Sequence, residues 1–270
     1  MSENLTNNAY SFLRRKLIAG ELAPGYRVST RAVARELGVS HTPVGVAVRQ
    51  LVSEGFLEHH PGLGVTVPIP SRREIEELYE FRCAIETAAV EKIAAQGLSV
   101  FQGQRLTGEL DAQAAWIGAV EAAQAEILEI AELDAWRSLD ARFHLTLLEV
   151  AGNRQMLEAF EGVRVKTHII CHRFHEKPLA DLSRTIGDHR AVIECVSRGD
   201  GELARRLLNE HIQKGCELAL DFYDQQYMRH GKQVHFANDL WFRTEPLRVR
   251  ETHDGSTEED LEGIRIGLRD

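Results

Sequence analysis

The sequence lacks the features of a membrane-spanning or disulfide-bonded chain. No run of 18 apolar residues occurs in it, and its N-terminus, MSENLTNNAY, lacks the basic and apolar regions of a signal peptide. The four cysteines are far apart and form no CxxC pair; they are Cys83, Cys171, Cys195 and Cys216. We therefore expect a cytoplasmic protein with reduced thiols and no membrane association.

Proline is scarce, and positive charge is in deficit. The chain has seven prolines and is 43% hydrophobic, which argues against disorder over most of its length. The formal net charge of −9 is unfavourable for DNA binding, but residues 1–70 hold seven Lys/Arg and five Asp/Glu, a balance of +2 against −11 for the rest. A mildly basic N-terminal part on an acidic remainder fits a small DNA-binding module joined to a second domain.

Residues 30–54, TRAVARELGVSHTPVGVAVRQLVSE, predict two short helices joined by a tight turn. Gly38 suits a left-handed C-cap, Ser40 is a candidate N-cap, and Pro43 falls in the first turn of the second helix. Apolar residues recur at helical spacing, namely Val33, Ala34, Leu37, Val44, Ala47, Val48 and Leu51. The pattern is typical of a helix-turn-helix, whose second helix enters the DNA major groove, although an ordinary helical hairpin shares it.

Two short strands are predicted around the turn of residues 61–64, so that helix, helix-turn-helix and β-ribbon make a winged helix. GELAPG (20–25), LGVSHTPV (37–44), EGFL (54–57) and GLGV (62–65) resemble the N-terminal domain of GntR-family transcription regulators over roughly residues 9–69. The resemblance implies contacts with double-stranded DNA from Arg31, His41, Thr42, Gly45, Arg49, Gly62 and Gly64.

The recognition helix departs from its family at two places. His41 stands where relatives commonly carry Arg, and Gly45-Val46 stands where they carry Arg-Glu. A glycine inside a helix costs about 1 kcal/mol relative to alanine, but it permits close approach of the backbone to DNA. We expect weaker or differently specific DNA binding, and a sensor that has lost specific DNA binding stays open as an alternative.

The residues after the wing predict helices only. Pro70 and Ser71 mark the expected boundary between a DNA-binding domain at 1–70 and a helical domain at 71–227. Helices are predicted at about 7–19, 72–97, 100–129, 134–150, 153–175, 182–197 and 201–227, the last capped by Asp200. The expected fold is mainly α, a winged helix-turn-helix followed by an antiparallel all-helical bundle. For residues 228–270, an ordered appendage and a flexible tail stay open.

Histidines on separate predicted helices form a candidate site. Asp140 and His144 are four residues apart and share one helix face, a pair that alone is more often hydrogen-bonded than metal-bound. His189 and His211 lie on two later helices, and facing helices of a bundle can bring such groups together. A second stripe, formed by His168, His172 and His175 around Cys171, is better explained as a solvated or cavity-lining face.

LDARFH (139–144), AGN (151–153), DHRAV (188–192), GD (199–200) and HI (211–212) look like the effector-binding domain of the FadR-like (FCD) branch of the family, over about residues 73–225. The resemblance implies a divalent metal on Asp140, His144, His189 and His211; Zn²⁺ or Ni²⁺ suits these donors, and Mn²⁺ is possible. Arg82 matches an arginine that in relatives faces the cavity and can hold a carboxylate. The alternative interpretation is that Arg82 is a surface residue on an amphipathic helix.

Together these patterns predict a ligand-responsive transcription regulator, a repressor relieved by a small carboxylate. A homodimer on a palindromic operator is expected, because two-fold symmetry doubles the contacts that one short helix can make. A hydrolytic metalloenzyme is the less favoured alternative. The sequence has no Gly-rich phosphate loop, no nucleophile elbow and no recognisable general-base motif.

Overall fold

The computed structural model describes residues 2–22, 24–123, 128, 130–171 and 179–225. The predictions for residues 228–270 concern a segment outside the described residues. The prediction for the stripe of His168, His172 and His175 concerns side chains that are also outside the described part. Among the described helices, none combines the length and apolar composition needed to cross a membrane.

The first part of the chain forms a winged helix. Its elements are α1 (Ser2–Ile18), β1 (Arg27–Val28), α2 (Thr30–Leu37), α3 (His41–Ser53), β2 (Glu58–His60) and β3 (Gly64–Thr66). The three strands form one antiparallel sheet in the order β1-β3-β2, with Val28 opposite Val65. Strand β1 was not predicted, because two residues are too few to show an alternating pattern.

The turn between α2 and α3 has the predicted left-handed glycine. Gly38 is the C-cap of α2, with φ 65° and ψ 30°, a conformation that strains residues with a Cβ. Ser40 is the N-cap of α3, as predicted, but its side chain makes no cap hydrogen bond. An N-cap oxygen accepts from the second or third helical N–H, and Pro43 occupies the third position without an N–H.

The second part of the chain is helical, as predicted. Its elements are α4 (Arg72–Gln96), α5 (Val100–Ala122), α6 (Ile130–Ala151), α7 (Arg154–Cys171), α8 (Leu179–Ser197) and α9 (Gly201–Tyr223). Capping boxes at Ser71 and Ser99 begin α4 and α5, and the Asp200 carboxylate accepts from the Leu203 N–H to begin α9. Each start is therefore fixed by a side chain adjacent to its helix.

Helix α4 lies at the centre of the bundle, in contact with α6, α7, α8 and α9. The core contains large, fully buried side chains, including Ile75, Ile93, Leu106, Phe143, Leu147, Leu148 and Phe160. Helices α4 and α9 approach closely at Gly215, where an added Cβ would lie 3.2 Å from the Tyr79 ring. This packing brings α4, α6, α8 and α9 around one small cavity, which holds the candidate site.

Helix α7 contacts both parts of the molecule. Val165 is 1% exposed and packs into the winged-helix core with Leu13, Val44 and Leu51. On the same helix, the Glu161 carboxylate lies 3.6 Å from the Arg14 guanidinium of α1. A helix of the bundle thus supplies a core residue to the winged helix.

Candidate metal centre and DNA-binding surface

Four potential metal ligands converge from three helices. Asp140 and His144 lie one turn apart on α6, His189 is on α8, and His211 is on α9; one ligand atom from each lies within 4.8 Å of the others. The Nε2 atoms of His189 and His211 are 3.2 Å apart. The Asp140 carboxylate lies 3.7 Å from Nε2 of His189 and 3.9 Å from Nε2 of His144.

The other nitrogen of each ring faces an acceptor. Nδ1 of His144 lies 2.5 Å from Oε2 of Glu86, and Nδ1 of His211 lies 3.4 Å from Oδ2 of Asp188. Nδ1 of His189 lies 3.1 Å from Oε1 of Gln113, whose amide nitrogen donates to the Leu139 carbonyl at 3.2 Å. Carboxylates only accept, and this amide has its oxygen left for the ring, so each Nδ1 carries the proton. All three Nε2 atoms therefore present lone pairs to the centre.

The convergent lone pairs fit a divalent cation. The buried Nε2 of His144 has no hydrogen-bond partner among the described residues, and the His189 and His211 lone pairs face each other at 3.2 Å. Such lone pairs repel one another unless a proton or a metal ion lies between them. Zinc bonds of about 2.1 Å in tetrahedral geometry place neighbouring ligands about 3.4 Å apart, comparable with the observed separations.

Burial and neighbouring charge keep His189 neutral. Burial, followed by the nearby His211, His144 and Arg82, lowers the pKa of His189 well below its ordinary value. Phe143 stacks on its ring with centroids 3.8 Å apart, which fixes the ring plane. A neutral imidazole of fixed orientation is the form that binds metals.

Arg82 is buried beside the four candidate ligands, and not at the surface. Its side chain is 11% exposed, and its Nε donates to Oε1 of Glu86 at 2.8 Å. Burial raises the pKa of Glu86, but Arg82 and then His144 outweigh it and lower that pKa to about 2. The Arg82 guanidinium also lies over the rings of Tyr79 and Phe160. Arg82 and Glu86 thus form a buried, ionised pair.

Asp140, His144, His211 and Arg82 line a cavity of about 130 Å³, and the fully buried His189 adjoins it through His211. Five cationic side chains line it, namely Arg82, Arg137, Arg164, Arg184 and Lys214. The lining carboxylates are those of Asp140 and Asp188, and Asp140 belongs to the candidate metal centre. Four of these cations are paired with a carboxylate, namely Arg82 with Glu86, Arg137 with Asp134, Arg164 with Glu161 and Arg184 with Asp181. The lining therefore offers an anionic ligand guanidinium N–H donors rather than a net positive charge.

The predicted DNA-contacting residues lie on α2, on α3 and in the wing turn. Arg31 on α2 and His41, Thr42 and Arg49 on α3 are exposed, while Gly45 is half-buried. They lie opposite the buried face formed by Val44, Ala47, Val48 and Leu51. Gly62 and Gly64 in the wing turn have φ values of 81° and 93°, which favour glycine.

The sequence did not predict the three acceptors behind the histidines. Asp188 could have been found from its position next to His189, and Glu86 from its position one helical turn after Arg82. Gln113 carried no signal, because a single glutamine on a helix is more often a surface residue. All three are identified by contacts between helices.

The geometry defines a class of protein, a winged helix joined to a helical domain whose cavity is lined by potential metal ligands and arginines. Residues 5–67 match the family model described as bacterial regulatory proteins, gntR family, and residues 77–214 match the FCD domain model. The chain belongs to the GntR family and carries an FCD domain. It is therefore a DNA-binding transcriptional regulator of that family.

Similar proteins agree with this assignment. The chain is 27% identical over 228 residues to the regulator McbR of Escherichia coli, covering 82% of this chain and 96% of that one. A probable D-xylose utilization operon transcriptional repressor of Paenarthrobacter nicotinovorans is 26% identical over 203 residues, covering 74% and 82%. The solved structure of E. coli McbR superimposes with a TM-score of 0.66 at 24% identity, covering 81% and 98%, and supports the fold.

Proposed function

We propose that this protein is a ligand-responsive repressor whose DNA binding is relieved by a small carboxylate held beside a divalent metal. The observation that carries the proposal is the cavity lined by Arg82 and by three of the four candidate ligands, with the fourth, His189, buried beside them. We assign residues 1–70 to DNA binding and residues 71–227 to sensing, in a cytoplasmic homodimer on a palindromic operator.

Asp140, His144, His189 and His211 would hold the metal. Three imidazoles and a carboxylate suit Zn²⁺ or Ni²⁺, with Mn²⁺ possible. The ion would supply a Lewis-acid contact for an oxygen of the effector. This chain orients the three rings through Glu86, Gln113 and Asp188.

The effector is a small anion, because the cavity is small and guanidinium groups line it. Arg82 offers the remaining N–H groups of its planar fork, since the described contact with Glu86 uses Nε. A carboxylate matches such a fork with two parallel hydrogen bonds.

Helix α7 is the route by which the cavity can affect the winged helix. Arg164 lines the cavity and donates to Glu161 at 2.9 Å, and Glu161 also faces Arg14 of α1. An effector carboxylate that attracts Arg164 would weaken this contact and shift α7. Val165 of α7 would transmit the shift, because it is buried in the winged-helix core.

Selection of genomic fragments bound by the metal-loaded protein tests the DNA-binding part. We expect an enriched palindrome, and fluorescence anisotropy should then report its release by one member of a panel of small carboxylates. Release should require metal, so the chelated protein is the control. Binding without any enriched sequence would favour the sensor that lacks specific DNA binding, and consumption of a panel member would favour the hydrolytic enzyme.

A further inference from the structure

We propose that Glu86 is a positioning residue that links the metal ligand His144 to the cavity arginine Arg82. Through this link, metal binding at His144 changes the environment of Arg82. The inference rests on the proposed function, in which the two groups hold the metal and the effector. Glu86 is a further residue of that site, and it acts through both His144 and Arg82.

The contacts of Glu86 use its two oxygens for two different partners. Glu86 is fully buried, with Oε2 facing Nδ1 of His144 at 2.5 Å and Oε1 accepting from Nε of Arg82 at 2.8 Å. Arg82 and Glu86 are one turn apart on α4 and therefore lie on the same face of that helix. His144 comes from α6, and Glu86 therefore connects two helices at the site.

The side chain at position 86 must accept two hydrogen bonds. Both partners present N–H groups, and a carboxylate is a double acceptor. A glutamine of the same shape has one acceptor and one NH₂ group, which would confront an N–H of either His144 or Arg82. Glu86→Gln is therefore an isosteric change that breaks one contact at least.

The acceptors behind the other two rings do not make this connection. Gln113 binds His189 and a backbone carbonyl, and the half-exposed Asp188 binds His211. Asp188→Asn is consequently a matched control, because it changes a carboxylate behind a candidate ligand into an amide at a distance from the Arg82 contact. Both variants should bind metal more weakly, by about 10- to 100-fold, as loss of such supporting hydrogen bonds does.

Two consequences separate positioning from general structural support. In the metal-free protein, Glu86 should hold His144 as the Nδ1–H tautomer with Nε2 facing the site. When metal binds Nε2, the polarised ring should strengthen its bond to Oε2 and change the environment of Oε1, and hence of Nε in Arg82. Energetic coupling of this kind is reciprocal, so an anion at Arg82 should in turn affect metal affinity.

Nitrogen-15 NMR of the full-length protein at constant neutral pH tests both consequences, with Zn²⁺ alone as the probe. In the wild type we expect the Nδ1–H tautomer at His144 before zinc is added, and a shift of the Arg82 Nε resonance during the titration. Asp188→Asn should keep both signatures despite weaker zinc binding. Glu86→Gln should lose the single tautomer, the Arg82 response, or both, while circular dichroism verifies that each variant is folded.

The wild type alone can overturn the proposal, so it does not depend on the folding of Glu86→Gln. An Nε2–H tautomer of His144, or an Arg82 resonance that zinc binding leaves unmoved, would contradict it. A folded Glu86→Gln variant that retains both signatures and wild-type zinc affinity would do the same. If the wild type binds no zinc, the proposed metal site fails and with it the coupling to Arg82, whereas the tautomer measurement still decides whether Glu86 positions His144.

Discussion

At Gly45, an alanine would favour helix stability but would hinder close contact with DNA. Gly45 lies inside α3, and an added Cβ would meet only Nη1 of Arg49, at an ordinary 3.6 Å. We expect Gly45→Ala to stabilise the winged helix by about 1 kcal/mol, the usual difference between the two residues in a helix. The same methyl group should weaken operator binding, because it faces the DNA-binding side.

Thermal unfolding and anisotropy titration measure these two effects of Gly45→Ala. Gly108→Ala on α5 is a control, because Gly108 is also helical and nothing lies within 4 Å of its added Cβ. It should leave operator affinity unchanged. Unchanged affinity in Gly45→Ala would mean that the backbone of α3 does not approach DNA closely at this point.

Arg31 is expected to carry a charged contact with DNA. Arg31 is exposed at the start of α2, and Arg35 is exposed one turn later on the same helix. Arg31→Ala should cost about 1–3 kcal/mol on the selected operator if Arg31 reads a base, and should weaken all sequences alike if it binds phosphate. Gel-shift titrations on operator and scrambled DNA distinguish the two.

Arg35→Ala removes the same charge from the same helix and serves as the control for Arg31→Ala. It should have the smaller effect, because its position matches no expected DNA contact. Identical titrations for both variants and the wild type would exclude α2 from the DNA interface.

Local chemistry made some residues predictable and left others unpredictable. The four candidate ligands could be grouped from the sequence, because Asp140 and His144 share a helix face and the remaining two match a motif. Glu86 lies 58 positions from His144, and Gln113 lies 76 positions from His189, so only the packing of helices relates them. Ser40 occupies the predicted N-cap position, but with Pro43 at the third helical position its side chain makes no cap hydrogen bond.

At the scale of elements, the helix starts that carry a capping side chain were the best predicted. Ser71 and Asp200 act on N–H groups a few residues away, and a motif of that length is readable in sequence. By contrast, α5 was expected to reach residue 129 but ends at Ala122, and α6 begins at Ile130 instead of 134. Alanine and glutamate continue a helix well, so residues 121–129 carry no clear stop signal.

Helix α7 gives a prediction about communication between the two parts of the molecule. Val165→Ala removes two buried methyl groups from the winged-helix core and should destabilise it by about 1–3 kcal/mol. Hydrogen exchange in α1 and α3 should therefore increase. The effect of a bound carboxylate on DNA affinity should also decrease, because α7 is then less firmly attached.

Val192→Ala is the matched control for Val165→Ala. Val192 is equally buried, but it lies in the bundle core. Its exchange increase should fall in α8 and its neighbours. Faster exchange confined to the bundle in Val165→Ala would show that α7 does not support the winged helix.

At the scale of the whole molecule, the two parts have separate cores and opposite charge. One core is formed within residues 9–67 together with Val165, and the other within residues 75–219. The formal charge of +2 on residues 1–70 directs DNA to the winged helix and away from the acidic bundle.

Metal removal should destabilise the bundle more than the winged helix. The candidate ligands join α6, α8 and α9, so a bound ion would connect three helices, and binding to the folded state adds directly to its stability. We expect about one divalent ion per chain by elemental analysis, and a lower unfolding temperature of the bundle after chelation that added zinc reverses. His189→Ala is the control, and zinc should not restore its stability.

The pH dependence of the metal-free bundle follows from His189. Its pKa is lowered in the folded state from an ordinary value of 6.5, so at lower pH the unfolded chain binds a proton that the folded chain excludes. Stability should therefore be retained above about pH 6.5 and fall as the pH decreases below that value, because it rises with pH wherever the unfolded state binds more protons. Zinc should steepen the decline, since protons compete for the same Nε2 lone pairs. Chemical unfolding between pH 5 and 8, with and without zinc, measures both slopes, and a flat profile in both conditions would mean that these rings neither stay neutral nor bind metal.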